Sequence, residues 1–266
     1  MAHVQRLWQR FIRKLFRPLL LALLASLLPI ASASARVVDL LLVLAVDISR
    51  SVDSEEFQLQ RQGYAQALTH PEILAAIQSG SIGAIAISYI EWSGADQQVL
   101  ILDWTVIENE ESARMAAGRI LEADRSFYGY TSISEAIKKG TSLIASAPHE
   151  GMRQVIDVSG DGSNNSGAPV TVARDEAVKA GIVINGLPIL NDRPNPFGQL
   201  DQKLDEYYRN FVIGGPGAFM EPARDFQAFA AAVRAKLVKE IAGMPDPRPN
   251  DGRLAELTPD LQDRQR

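Results

Sequence analysis

Hydrophobic residues along this chain fall into two rhythms. Near-continuous apolar runs rich in Val and Ile occur at 37–49 (VVDLLLVLAVDIS), 82–92, 97–107, 153–162 and 181–189. Runs without strict alternation suit strands covered on both faces. Stretches with helical spacing lie between most of them. Residues 53–69 open on Asp53 and Glu56, a capping pair, and carry Phe57, Tyr64 and Leu68 on one side. Further helices are expected at 110–123, 132–146 and 170–180. A long amphipathic helix is expected at 222–243, with Phe226, Phe229, Ala230, Val233, Leu237 and Ile241 at helical spacing.

Strands alternating with helices predict an α/β fold, doubly wound around a mainly parallel sheet with helices on both faces. Residues 82–107 break the alternation. Their two strands are joined by SGADQ, which reads as a hairpin and so places one antiparallel edge strand. The loop NDRPNPFGQ (191–199) is a long insertion after the fifth run, rigidified by two prolines.

The two ends of the chain differ from this pattern. Arg6, Arg10, Arg13, Lys14 and Arg17 form a basic start without an acid, followed by LLLALLASLLPI and then ASASA. A basic region, a short apolar region and small residues at an A-x-A site read as a secretory signal over residues 1–35, with cleavage after Ala35 or Ala33. The apolar part is shorter than the roughly 20 residues of a membrane span, although an uncleaved N-terminal anchor is the other reading. No transmembrane span is expected after cleavage, and a periplasmic or secreted location follows. Residues 36–243 make one domain. From Met244 the chain is rich in Pro and charge, and 244–266 reads as a disordered tail.

Charge narrows the partners. The 266 residues carry a formal net charge of −5. Removing the signal takes away five bases and no acid, leaving 22 bases against 32 acids, a net of −10. Such acidity argues against nucleic acid or an anionic membrane surface and suits a protein that attracts cations. There is no cysteine, which excludes disulfides, zinc thiolate sites and cysteine nucleophiles.

In open α/β sheets ligands bind beyond the carboxyl ends of the strands. Asp47, Ser49 and Ser51 follow the first run, Asp161-Gly162 ends the fourth, and Thr131 precedes the helix at 132–146. If the first and fourth runs are neighbouring strands, these three loops converge. The set is then two carboxylates and three hydroxyls, which selects a hard divalent cation: Mg2+ first, with Mn2+ or Ca2+ also suited. Two carboxylates and neutral hydroxyls leave such an ion short of negative charge. A remaining coordination position suits water or an acidic side chain from a protein partner. Taken singly, each motif has a plainer reading: an Asx turn or cap at Asp47, a Ser132/Glu135 capping box beside Thr131, and a turn at Asp161-Gly162.

These three parts resemble the metal-ion-dependent adhesion site (MIDAS) of von Willebrand factor type A (VWA) domains. The family's D-x-S-x-S falls on Asp47, Ser49 and Ser51, its loop threonine on Thr131, and its aspartate-glycine on Asp161 and Gly162. The resemblance covers roughly residues 37–243, and YIEWSG, VIDVSGDGSNN and NGLPI also resemble an exported bacterial subgroup of unassigned function. It implies a Rossmann-like sheet, one divalent cation at its top, and protein binding rather than turnover. Two departures stand out. Asp157 lies inside the strand leading to Asp161, as a buried partner for a base or a group behind the metal ligands. Tyr130 replaces a customary glycine beside Thr131, where it would shield or contact a ligand. Ser163, Asn164 and Asn165 complete the expected rim.

Other chemistry is poorly represented. His70 and His149 stand beside prolines and read as solvated surface residues. No G-x-S-x-G elbow is present and no histidine is placed for a serine triad. GGPGAF (214–219) lacks the Lys-Ser/Thr of a phosphate loop and reads as a turn. Two functions therefore compete: an exported, metal-dependent protein-binding module without enzyme activity, and a metal-dependent hydrolase such as a phosphoesterase with Asp47 as nucleophile or ligand.

Overall fold

The apolar run at 37–49 folds as two strands where its hydrophobicity predicts one. β1 (Arg36–Val38) pairs in parallel with the short β5 (His149–Gly151), and β2 (Leu40–Asp47) enters a larger sheet. Asp39 makes the break. Its carboxylate accepts the backbone N–H groups of Ile82, Gly83 and Ala84. The same contact holds residues 82–84 in a loop, so β3 (Ile85–Trp92) starts later than the run suggests.

The computed structural model describes residues 35–190 and 203–243. The expected signal segment up to Ser34, the loop 191–199 and the tail 244–266 lie outside the described residues. The main sheet adds β4 (Gln98–Ile107), β6 (Gln154–Gly160) and β7 (Val183–Pro188), in the order β4-β3-β2-β6-β7. β2 runs parallel to β3 and β6, and β6 to β7, whereas β4 is the antiparallel edge strand that the hairpin predicted. Every residue of β2 and β3 is buried, while β4 is only partly covered.

Alternate residues of β2 serve two cores, as strand geometry requires. Leu40, Leu42, Leu44 and Val46 pack with α1 (Ser54–Leu68), α2 (Pro71–Gln78), α3 (Glu110–Glu122) and α7 (Phe229–Ala242). Leu41, Val43 and Ala45 pack with α4 (Ile133–Ala145) and α5 (Val170–Lys179). Tyr208 and Val212, at the ends of a five-residue π-helical turn after α6 (Leu204–Tyr207), join that second core. Among the described residues no helix is long and apolar enough to cross a membrane.

Local chemistry explains both the matches and the departures. Asp53 and Glu56 form the expected capping box at α1. Ser132 makes no side-chain cap at α4: Glu135 turns instead to Lys138, and the Ser134 N–H is taken by Asn164 Oδ1. The helix expected at 222–243 is only Phe229–Ala242. Ala223 bridges to Ile189 and donates to Pro188 O, so its backbone is committed to the sheet edge. Phe226 is buried all the same. α2 was not expected. His70 keeps the exposed side chain expected from sequence but also caps this helix by accepting the Glu72 N–H at Nδ1, whereas His149 is half-buried with its Nδ1 enclosed.

Candidate metal centre

β2 and β6 are adjacent and parallel, so their carboxyl ends open at one edge. Asp47 is the last residue of β2, and Asp161 follows the last residue of β6. Ser49 and Ser51 lie in the turn between β2 and α1, and Thr131 stands two residues before α4. Asn165 fixes the Thr131 loop from across the edge: its Oδ1 accepts the Thr131 N–H at 2.8 Å, and its own N–H donates to Thr131 O at 2.9 Å.

The five side chains expected from sequence meet in one connected set. Asp47 Oδ1 accepts the Ser49 N–H at 2.7 Å. Ser49 Oγ and Ser51 Oγ are 3.1 Å apart, Thr131 Oγ1 donates to Ser49 Oγ at 3.3 Å, and Ser51 Oγ donates to Asp161 Oδ1 at 2.6 Å. Asp47, Ser49 and Thr131 are buried, whereas Ser51 and Asp161 are only partly so. The set therefore has a dry floor and one side open toward solvent.

Its electrostatics are unbalanced. Burial pushes the Asp47 carboxyl well above the usual range, and nearby Asp161 pushes it further. Asp161 is raised to about 6, first by burial and also by Glu56, against the Ser51 hydrogen bond. Among the described residues neither carboxylate has an ion-pair partner, and Asp47 Oδ2 is buried without a hydrogen bond. Buried carboxylates are normally paired, protonated or bound to a metal. A hard divalent cation held by Asp47, Ser49, Ser51, Thr131 and Asp161 fits this arrangement: it would give Asp47 Oδ2 a partner and supply the missing positive charge. Among the described residues no cluster of three or more His, Cys, Asp or Glu side chains could hold a metal. The set here is of a different kind, with hydroxyls in place of further acids.

The surroundings hold residues that sequence reasoning missed. Arg125 Nη2 donates to three carbonyls of the Asp47–Asp53 turn: Ile48 O at 2.7 Å, Val52 O at 2.9 Å and Ser49 O at 3.1 Å. Its guanidinium lies over Tyr128, 3.8 Å from the ring centroid, and over Phe57 at 5.1 Å. Gln60 Nε2 donates to Asp47 O at 3.0 Å. Neither residue carries a motif, since the contacts link segments remote in sequence.

The rim candidates divide. Tyr130 is exposed beside Thr131, as a ligand-contacting residue must be. Asn164 and Asn165 instead brace the loop, Asn164 through Ser134 and Asn165 through Thr131. Ser163 is partly exposed between them and Asp161. Asp157 is not at this edge. It is buried on β6 with its Oδ1 2.7 Å from Lys236 Nζ of α7, so it is the partner of a base.

Comparison with known proteins agrees with this geometry at the level of fold. A VWA protein from Catenulispora acidiphila matches with a TM-score of 0.52 and 14% identity over 77% of this chain and 43% of its own. Proximal thread matrix protein 1 of the mussel byssus, solved with a zinc-occupied MIDAS motif, gives 0.54 and 15% over 77% and 46%. The pilus adhesin SpaC from Lactobacillus rhamnosus GG gives 0.54 and 15% over 79% and 31%. The chain thus spans less than half the length of these solved proteins. No curated protein matches the sequence. The family profile described as "Protein of unknown function (DUF1194)" matches residues 37–245. With nearly the whole folded region inside that match and the sheet order just described, the chain belongs to the DUF1194 family, on a von Willebrand factor type A fold.

Proposed function

We propose that this chain is an exported protein-binding module whose contact with its partner runs through a divalent cation. Asp47, Ser49, Ser51, Thr131 and Asp161 hold the ion, with Mg2+ the first choice and Mn2+ or Ca2+ also suited to oxygen donors. The observation that carries this reading is Asp47 Oδ2, buried and unpartnered beside a second carboxylate that also lacks a base. When bound, the cation supplies a Lewis-acidic position open to an incoming carboxylate. The protein residues do the rest. Ser49, Ser51 and Thr131 give neutral oxygens, so the site's negative charge stays low enough to welcome an acidic partner. Tyr130 offers an exposed ring next to the open side. The zinc-occupied motif of the mussel protein supports a metal at this edge of the fold and adds Zn2+ to the ions worth titrating.

A phosphoesterase is the competing reading, and the contacts favour it less. The position two residues beyond Asp47, where a general acid is wanted, is Ser49, and the base beside the turn, Arg125, is occupied by carbonyls. Titration calorimetry with Mg2+ and Mn2+ tests the proposal, with Asp47→Ala and Asp161→Ala as controls. Unchanged binding in both variants would sink it. Turnover of a phosphoester panel that is lost in Asp47→Asn would replace it with the hydrolase.

A further inference from the structure

Tyr208 is wholly buried and opens the π-helical turn Tyr208–Val212. Its ring lies in a slot made by two glycines on neighbouring strands. A Cβ on Gly186 of β7 would fall 2.7 Å from the ring Cδ1, and a Cβ on Gly160 of β6 would fall 3.0 Å from the hydroxyl oxygen. Glycine inside a strand weakens it and marks a close approach by another group. Here two glycines let one ring come close against the sheet, with its hydroxyl at Gly160, the last residue of β6.

The hydroxyl ends beside Asp47. The same Gly160 Cβ position is 2.8 Å from Asp47 Oδ2, so both oxygens approach the same bare stretch of backbone, the one a side chain on Gly160 would cover. Neither has a hydrogen-bond partner. Two buried orphan polar atoms beside the same glycine are costly unless another group satisfies them. A phenol can donate where a carboxylate can only accept, so a water between them would be held from both sides. The π-helical turn that presents Tyr208 is itself a rare local geometry, found often at functional sites.

We propose that Tyr208 is a positioning residue of the cation centre: its hydroxyl and Asp47 Oδ2 together hold one water of the ion's shell, which fixes the carboxylate toward the ion. This rests on Asp47 being part of a divalent-cation site.

The test is Mn2+ affinity by calorimetry and electron paramagnetic resonance, with the melting temperature of the metal-free protein measured alongside. Tyr208→Phe is expected to bind Mn2+ ~10-fold more weakly, the scale of one hydrogen bond to a charged group. Its metal-free melting temperature should be unchanged or higher, because an orphan hydroxyl is removed. Tyr89→Phe deletes an equally buried, unpartnered hydroxyl on β3 and should leave the affinity unchanged. Equal affinity in Tyr208→Phe and the wild type overturns the inference and leaves the cation site standing. So does a metal-free destabilisation large enough to account for the lost affinity, which would make Tyr208 a packing residue only. No Mn2+ binding by the wild type overturns the cation site itself. Should Tyr208→Phe fail to fold, Gly186→Ala lifts the ring from its slot without touching either oxygen, and unchanged affinity there also counts against the proposal.

Discussion

Lys236 Nζ lies 2.7 Å from Asp157 Oδ1, and both side chains are essentially without solvent contact. The same ammonium pairs with Glu240 one helical turn on, and Glu240 Oε1 also accepts from Asn185 Nδ2 at 2.8 Å. This group ties α7 to β6 and β7 beneath the sheet edge that carries Asp161. Removing the base alone would leave two carboxylates buried and uncompensated. Lys236→Met is therefore expected to destabilise the domain by about 3–5 kcal/mol, the usual scale for breaking a buried pair. Urea denaturation measures it, and the loss should shrink when Glu240→Gln is added.

The pH dependence of stability follows from the same group. Burial, and then Glu240, raise the Asp157 carboxyl to about 7, against the pull of Lys236. A carboxyl raised in the folded state binds its proton more tightly there than in the unfolded chain. Its contribution to stability is thus fully present below about 4 and is lost as pH rises through about 7. The expected fall across that window is on the order of 4 kcal/mol. Asp157→Asn should flatten the profile between those limits. An unchanged slope in the variant would show that Asp157 titrates near its ordinary value.

Much of this was legible in the sequence, and the exceptions share a cause. The strands β2 and β6, the hairpin β3–β4 and the capping box of α1 follow from local pattern, because apolar runs and Asp53/Glu56 act on their own neighbours. The meeting of Asp47, Ser49, Ser51, Thr131 and Asp161 at one edge was foreseeable because each sits near the end of such an element. Asp39, Arg125 and Tyr208 were not. Asp39 breaks a strand through N–H groups more than forty residues away, and Arg125 serves carbonyls more than seventy residues away. Tyr208 reads as one more core aromatic until Gly160 and Gly186 are seen beneath it. Likewise the start of α7 depends on Ala223 joining a distant strand end, and no periodicity in 222–243 records that bond.

A sharp prediction concerns Asp47 without metal. Its carboxyl is buried near Asp161 with no base in contact, so charge there costs stability in the metal-free protein. Asp47→Asn keeps the shape and removes the charge. It is expected to raise the metal-free melting temperature by several degrees, as ~1–2 kcal/mol does for a domain of this size. Saturating Mg2+ should stabilise the wild type, by about 2.7 kcal/mol at a hundredfold excess over Kd, and should leave the variant unmoved. Differential scanning calorimetry with and without Mg2+ reads both effects. A variant that melts lower than the wild type without metal would refute the charge argument.

The last prediction is about Arg125, which shapes the site without entering it. Its Nη2 reaches Ile48 O, Ser49 O and Val52 O, so one guanidinium braces the turn bearing Ser49 and Ser51 beside the backbone bonds from Val52 N–H to Ser49 O and from Arg50 N–H to Gly129 O. Lysine cannot replace it. An ammonium lacks the planar fork and the stacking that hold Arg125 against Tyr128 and Phe57. Arg125→Lys should cost about 1–3 kcal/mol of stability through the carbonyls left short of a donor. Hydrogen exchange at residues 48–53 should accelerate well beyond that of β2, because the strand keeps its own ladder while the turn loses its brace. Cation affinity should fall with the turn's protection. If exchange in 48–53 quickened while affinity held, the five proposed ligands would owe their arrangement to the strand ends alone, and Arg125 would be a stabilising residue with no part in shaping the centre.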